Sequence, residues 1–222
     1  MTGVRKFVAE FIGTFALVLF GVGAILQQHQ TQMVGITGIA VAHGLAILVS
    51  IYALGHISGG HFNPAVSFSF FVTRRMNAGT MLLYWAAQFL GAIVAACILK
   101  QAYFVSGADV NYGAPVLDPS VRPFLAALLE GIAAFMLVTV IFGTAVDPRA
   151  PAGFAGLAIG LTITANVLMG GILTHMCFNP ARALGPALIG GQWQDHWVYW
   201  VGPLLGGGAA ALLYDKLLLK RA

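Results

Sequence analysis

Apolar residues dominate six long stretches of this chain, at about 7–27, 34–54, 81–101, 122–143, 153–173 and 197–218. Each is long enough to cross roughly 30 Å of hydrocarbon at a rise of about 1.5 Å per residue. Two shorter apolar segments, about 64–72 and 180–189, each follow an Asn-Pro pair and are too short to span. Asn is among the best helix N-caps, and Pro is favoured at the first helical position because its missing N–H has no partner there in any case. Each short segment therefore reads as a half-helix that starts at membrane depth. The pattern predicts an all-α membrane protein of six transmembrane helices plus two re-entrant half-helices.

The pattern also repeats. Glu10 lies 53 residues before Asn63, and Glu130 lies 49 before Asn179. Tyr84-Trp85 begins 21 residues after Asn63, and Tyr199-Trp200 begins 20 after Asn179. Each half, about 1–105 and 118–222 of a single domain 1–222, holds three spans and one half-helix. Three is odd, so the halves have opposite orientations in the bilayer. Inverted repeats place their functional site near the midplane, where the broken helices meet. Non-helical backbone at that depth is tolerated only when buried in protein or lining a wet cavity. The Gly-rich approach Gly55-His56-Ile57-Ser58-Gly59-Gly60-His61-Phe62 is expected to face such a cavity; two loops that merely plug a bundle are the alternative.

Composition agrees with a membrane setting. The chain is 59% hydrophobic and 8% charged, against about 25% charged in a typical soluble domain. Its net charge of +4 suggests nucleic acid only until the basic residues are placed. With the N-terminus inside, Arg5, Lys6, Arg74, Arg75, Arg149, Lys216, Lys220 and Arg221 fall on the cytoplasmic side and only Lys100 and Arg122 outside. That positive-inside bias puts both termini in the cytoplasm and leaves no nucleic-acid surface; a cell (plasma or inner) membrane is the expected location. No cleavable signal is evident. Cys97 and Cys177 are far apart in apolar sequence, and a disulfide between them is not expected. The six histidines and two cysteines lack metal spacing, and no nucleophile–base set or phosphate loop appears. Neither a cofactor nor a metal is expected, and the chain is not expected to be an enzyme.

The candidate chemistry sits at Asn63-Pro64-Ala65 and Asn179-Pro180-Ala181. A helix N-terminus exposes unpaired N–H donors and carries roughly half a positive charge, so two facing ends orient a small polar molecule and repel cations. Arg182, three residues past Asn179, belongs to neither membrane face, and an arginine at that depth is a functional candidate by default; an arginine snorkelling to the surface is the bland reading.

The paired boxes, the repeat, Ser58-Gly59-Gly60-His61-Phe62-Asn63-Pro64-Ala65-Val66 and Asn179-Pro180-Ala181-Arg182 resemble the aquaporin family across essentially the whole chain. His196-Trp197-Val198-Tyr199-Trp200-Val201-Gly202-Pro203-Leu204 and Tyr84-Trp85-Ala86-Ala87-Gln88-Phe89-Leu90-Gly91 are similar to tonoplast intrinsic proteins. The run from Gly60 to Ser67 and Cys177 are similar to the ammonia- and peroxide-permeable members. The resemblance implies that Asn63 and Asn179 meet at the midplane. It implies that carbonyls of Gly59, Gly60, His61 and Phe62, and of His175, Met176, Cys177 and Phe178, form an acceptor ladder, and that Glu10 and Glu130 brace the loops. It places a filter at His43, Val167, Met176 and Arg182. Many water-only members carry Phe at the first of these and His at the second, so His43 with Val167 is similar to ammonia-permeable relatives; Met176, where those have a small residue, is a departure. A homotetramer with one pore per subunit is also implied.

Two function classes compete: a passive channel for water and small neutral solutes, and a coupled secondary transporter, since inverted repeats and broken helices occur in both. The only acids at depth are the symmetric Glu10 and Glu130, which favours the channel. Among channels, glycerol-conducting relatives usually carry Asp directly after the Arg, where this chain has Ala183, so water comes first, with ammonia and then hydrogen peroxide as further solutes. Gln88 is expected to pack rather than bind, and His61 to hold its loop.

Overall fold

The structure, a computed structural model, describes residues 2–219, which contain helices and no strand. In chain order the helices are α1 (Gly3–Thr31), α2 (Gly35–Ser58), α3 (Pro64–Val72), α4 (Ala78–Ala102), α5 (Pro123–Val146), α6 (Ala155–Thr174), α7 (Pro180–Gly190) and α8 (Val198–Leu213). Five of them, α1, α2, α4, α5 and α6, are long and apolar enough to cross a membrane. α8 has 16 residues and continues as a wider π-type turn, Tyr214–Leu218. The six spans and two half-helices lie where the apolar runs predict them. Several spans overrun the apolar limits because a helix continues until a local stop, such as the left-handed residues Gln32 (φ 57°) after α1 and Gly59 (φ 94°) after α2. Lys220 and Arg221, which the orientation argument uses, lie outside the described residues.

Both half-helices start at a capped asparagine. Asn63 and Asn179 are extended (φ −157° and −148°), and each side-chain Oδ1 accepts from the N–H two residues on, at 2.9 and 3.0 Å. Pro64 and Pro180 occupy the next position, where no donor is lost.

Packing weaves the halves together. Within each half the first span lies on the third, α1 on α4 and α5 on α8, while α2 crosses α6 between halves. At that crossing a Cβ on Gly44 would sit 2.5 Å from the Gly160 carbonyl oxygen, and one on Gly160 would sit 2.8 Å from that of Gly44. Only glycine at both positions lets the backbones approach so closely. The half-helices exchange partners: α3 packs on α8 and α7 on α4. Neither half encloses the centre alone. The outward surface carries Leu82, Leu128, Leu161 and Leu205, whereas the interior holds Glu10, Glu130, Asn63, Asn179 and Arg182.

The connection between α5 and α6 is tied to the turn that follows α8. Asp147 accepts from Arg149 Nε at 2.9 Å and from Tyr214 Oη at 3.1 Å, and Arg149 Nη2 donates to the Leu218 carbonyl at 2.8 Å. The Arg149 hydrogen bonds hold the Asp147 carboxyl far below the usual carboxylate range.

Candidate functional site

Each half-helix is preceded by a loop hung on a buried carboxylate. In the first, Glu10 Oε1 accepts from Ser58 Oγ (2.7 Å) and His61 N (2.9 Å), and Oε2 accepts from Phe62 N (2.6 Å) and Gln88 Nε2 (2.8 Å). In the second, Glu130 Oε1 accepts from Thr174 Oγ1 (2.6 Å) and Cys177 N (3.0 Å), and Oε2 accepts from Phe178 N. Backbone strain accompanies this arrangement. Gly59, Gly60 and Phe62 have φ of 94°, 67° and 49°, and His175, Met176 and Phe178 have 60°, 37° and 35°. Left-handed residues interleaved with ordinary ones turn some N–H groups to the carboxylate and stop the segment from closing into a helix. Gln88 is fully buried and does not line the central cavity, and its amide bridges Glu10 and Ser67 Oγ (3.1 Å), a hydroxyl that lies 3.1 Å from His61 Nδ1.

The two asparagines meet across the centre. Asn63 Nδ2 donates to the Phe178 carbonyl and Asn179 Nδ2 to the Phe62 carbonyl, each at 2.9 Å. With Oδ1 engaged by the half-helix and one amide hydrogen by the opposite loop, each amide keeps a single N–H free. Both side chains line a cavity of about 180 Å³ that runs from His43, Met176 and Arg182 past the asparagines to Phe70, Val146 and Ala155. Gly59, Gly60, His61, Cys177 and Phe178 also line it; its inner wall is aliphatic, with Leu137, Ile141 and Ile159.

At the end of the cavity that holds His43 and Met176, Arg182 is 1% exposed. Its Nη1 donates to the Gly113 carbonyl at 3.2 Å, and Nη2 lies 3.4 Å from His43 Nε2. His43 Nδ1 is 2.9 Å from the Ile39 carbonyl. A carbonyl can only accept, so Nδ1 carries the proton and Nε2 turns its lone pair toward the guanidinium. Met176 folds against Gly170 of α6. Val167 does not line this cavity; it borders a separate one with Ile36, Ile39 and the half-buried His175. Of the four expected filter positions, three thus share one cavity and the fourth stands behind it. Counting from the boxes misses Gly113, whose carbonyl meets Arg182 from a distant loop.

Residues 1–214 match the family described as MIP, Major intrinsic protein. The chain belongs to the major intrinsic protein family. This major intrinsic protein is 41% identical over 223 residues to Aquaporin TIP4-4 of Zea mays, covering 97% of this chain and 87% of the relative. It is 42% identical over 213 residues to Aquaporin NIP1-1 of Oryza sativa subsp. japonica, covering 96% and 74%. The X-ray structure of the aquaglyceroporin from Plasmodium falciparum superposes on it with a TM-score of 0.89 at 27% identity, over 98% of this chain and 97% of that one. The protein is an integral membrane channel of the aquaporin fold, in a family that passes water and small solutes passively, and it is not an enzyme.

Proposed function

We propose that this channel conducts water, with ammonia and then hydrogen peroxide as further solutes, and excludes protons and other ions. The observation that carries the reading is the pair of asparagine amides, each held so that one N–H remains for a passing molecule. A water that accepts from both amides presents no proton to them, and two half-helix N-termini behind them oppose a cation. Carbonyls of Gly59 to Phe62 and of His175 to Phe178 serve as the acceptor ladder on either side. Glu10 and Glu130 brace the loops. Arg182 supplies the fixed charge of the outer filter, His43 an acceptor nitrogen beside it and Met176 the apolar wall, with Val167 as their backing on α6. Glycerol facilitation is the rival reading: the aliphatic inner wall favours it, whereas His43, Met176 and Arg182 crowding the outer end favour smaller solutes.

The channel is read as one domain of two inverted halves, 1–105 and 118–222, with both termini cytoplasmic, assembled as a homotetramer with one pore per subunit. The TIP and NIP names of its relatives lend no support to the plasma or inner membrane in particular. Stopped-flow light scattering and pH-dye measurements on one proteoliposome preparation test the proposal. Water flux with a low activation energy and an undissipated pH gradient is the expected result. A proton leak that scales with channel content would sink the exclusion claim, and glycerol flux matching that of water would favour the rival.

A further inference from the structure

The outer segment Ala108–Gly113 reaches α7 at both ends. Asn111, Tyr112 and Gly113 are three successive left-handed residues, with φ of 48°, 51° and 74°, a conformation that costs an L residue about 1 kcal/mol or more. The turn is closed by Tyr112 N donating to the Gly107 carbonyl (2.7 Å), Ala114 N to that of Asn111 (3.0 Å) and Tyr112 Oη to that of Phe104 (3.0 Å). Its last residue delivers the Gly113 carbonyl to Arg182 Nη1, and a Cβ there would collide with Val22. On the other side, Lys100 at the end of α4 places Nζ 5.2 Å from the centre of the Tyr112 ring and 3.5 Å from the Ile189 carbonyl near the end of α7. Lys100 and the turn therefore hold α7 between them, one at its C-terminal end and the other at Arg182 near its start. The first half-helix has its own tie just beyond its end, Arg75 Nη2 to Asp215 Oδ1 at 2.8 Å.

We propose that Lys100 is a positioning residue for the outer filter: by holding Tyr112 it keeps the left-handed turn in place, and the turn orients Arg182 through the Gly113 carbonyl. The guanidinium's buried Nε has no hydrogen-bond partner among the described residues, and its aim rests on the Nη contacts to the Gly113 carbonyl and His43. Lys100 itself does not line the cavity. The inference rests on the proposed filter role of Arg182.

The test uses the full chain in proteoliposomes as wild type, Lys100→Met, Lys100→Arg, Tyr112→Leu and, as a leak reference, Arg182→Val. The readouts are proton leak and hydrogen–deuterium exchange of the segment 107–114. Lys100→Met is expected to raise the leak and the exchange roughly three- to tenfold, the factor that losing one cation–π or hydrogen-bond contact corresponds to. Tyr112→Leu, which keeps the lysine charge, should do the same, and Lys100→Arg should restore both readouts. Unchanged exchange in Lys100→Met overturns the tie. Faster exchange without added leak overturns the positioning role. A leak in Lys100→Met but not in Tyr112→Leu assigns the effect to charge alone and overturns it as well. A wild type already as leaky as Arg182→Val fails the exclusion reading instead, a result the exchange data separate from the state of the turn.

Discussion

Four donors converge on Glu10, two of them from side chains, Ser58 and Gln88; three converge on Glu130, with Thr174 as the one side chain. The position four residues after Tyr84 is Gln88, and four after Tyr199 it is Pro203. Four residues past the first box asparagine is Ser67, paired with His61 and Gln88, and four past the second is Ala183. Three past the asparagines stand Val66 and Arg182. The same carboxylate scaffold thus bears a neutral, heavily cross-linked loop on one side and a sparsely braced, charged loop on the other. A shared backbone shape needs only the carboxylate and its two N–H donors, so the remaining positions are free to serve rigidity in one half and selectivity in the other.

The largest effect that can break this comparison comes from the carboxylates. The Ser58 and Thr174 hydroxyls can turn to other acceptors, so the donors that need the carboxylates are His61 N, Phe62 N and the Gln88 amide at Glu10. At Glu130 they are Cys177 N and Phe178 N, so Glu10→Ala strands three donors and Glu130→Ala strands two. A stranded buried donor costs roughly 1–3 kcal/mol. Thermal unfolding in detergent should therefore show Glu10→Ala destabilised more than Glu130→Ala, by about the cost of the one additional stranded donor. Equal losses would mean that Gln88 adds nothing to the first loop.

Next in size is the charge that only the second loop carries. Arg182→Val makes the two halves alike at that position. Cation and proton leak should rise by about tenfold or more, which is what losing a barrier of about 1.4 kcal/mol gives. Circular dichroism should report unchanged helix content. A folded variant with wild-type leak would show that the asymmetry at this position has no bearing on selectivity.

A smaller effect separates the filter from its wall. His43 offers Nε2 as an acceptor beside Arg182, and Met176 fills space against Gly170. Under an ammonium gradient, internal alkalinisation should slow roughly threefold in His43→Phe, where the acceptor is gone, and speed up in Met176→Gly. These are order-of-magnitude expectations for one lost hydrogen-bonding group. Wild-type flux no higher than that of empty vesicles would leave ammonia out of the account.

The spans and half-helices were legible in the sequence because the length of an apolar run and an Asn-Pro cap are local signals. The pairing of Glu10 with the first loop and Glu130 with the second was legible only through the family resemblance, the repeat having marked the two carboxyls as equivalent. Gln88 was not, because nothing local marks a helical amide as facing a carboxylate 78 positions away. Counting from a box asparagine fixes a residue's depth, which brings His43, Met176 and Arg182 to one level, but it does not fix the direction of the side chain. Val167 turns toward Ile36 and Gly171 because the helices around it leave that gap. Gly113 carries no signal that pairs it with Arg182: its part there is a backbone carbonyl, and only the fold brings it to the guanidinium.

The least effect expected is also the cleanest measure of the difference in bracing. Tyr84 and Tyr199 occupy equivalent places in the repeat and both are buried, Tyr84 with its ring 5.2 Å from that of His61 and Tyr199 in a cluster with Cys177. Tyr84 Oη donates to the Ser58 carbonyl at 2.5 Å, whereas Tyr199 Oη is buried without a partner among the described residues. Removing an unpaired buried hydroxyl costs no hydrogen bond, and removing a paired one leaves the Ser58 carbonyl short of a donor. Tyr84→Phe should therefore lower stability by about 0.5–1.5 kcal/mol, while Tyr199→Phe should be neutral or slightly stabilising. Parallel unfolding curves of the two variants in one detergent decide the matter. If Tyr199→Phe costs as much as Tyr84→Phe, the second loop is braced as firmly as the first, and its freedom to carry a charge must come from somewhere other than sparse support.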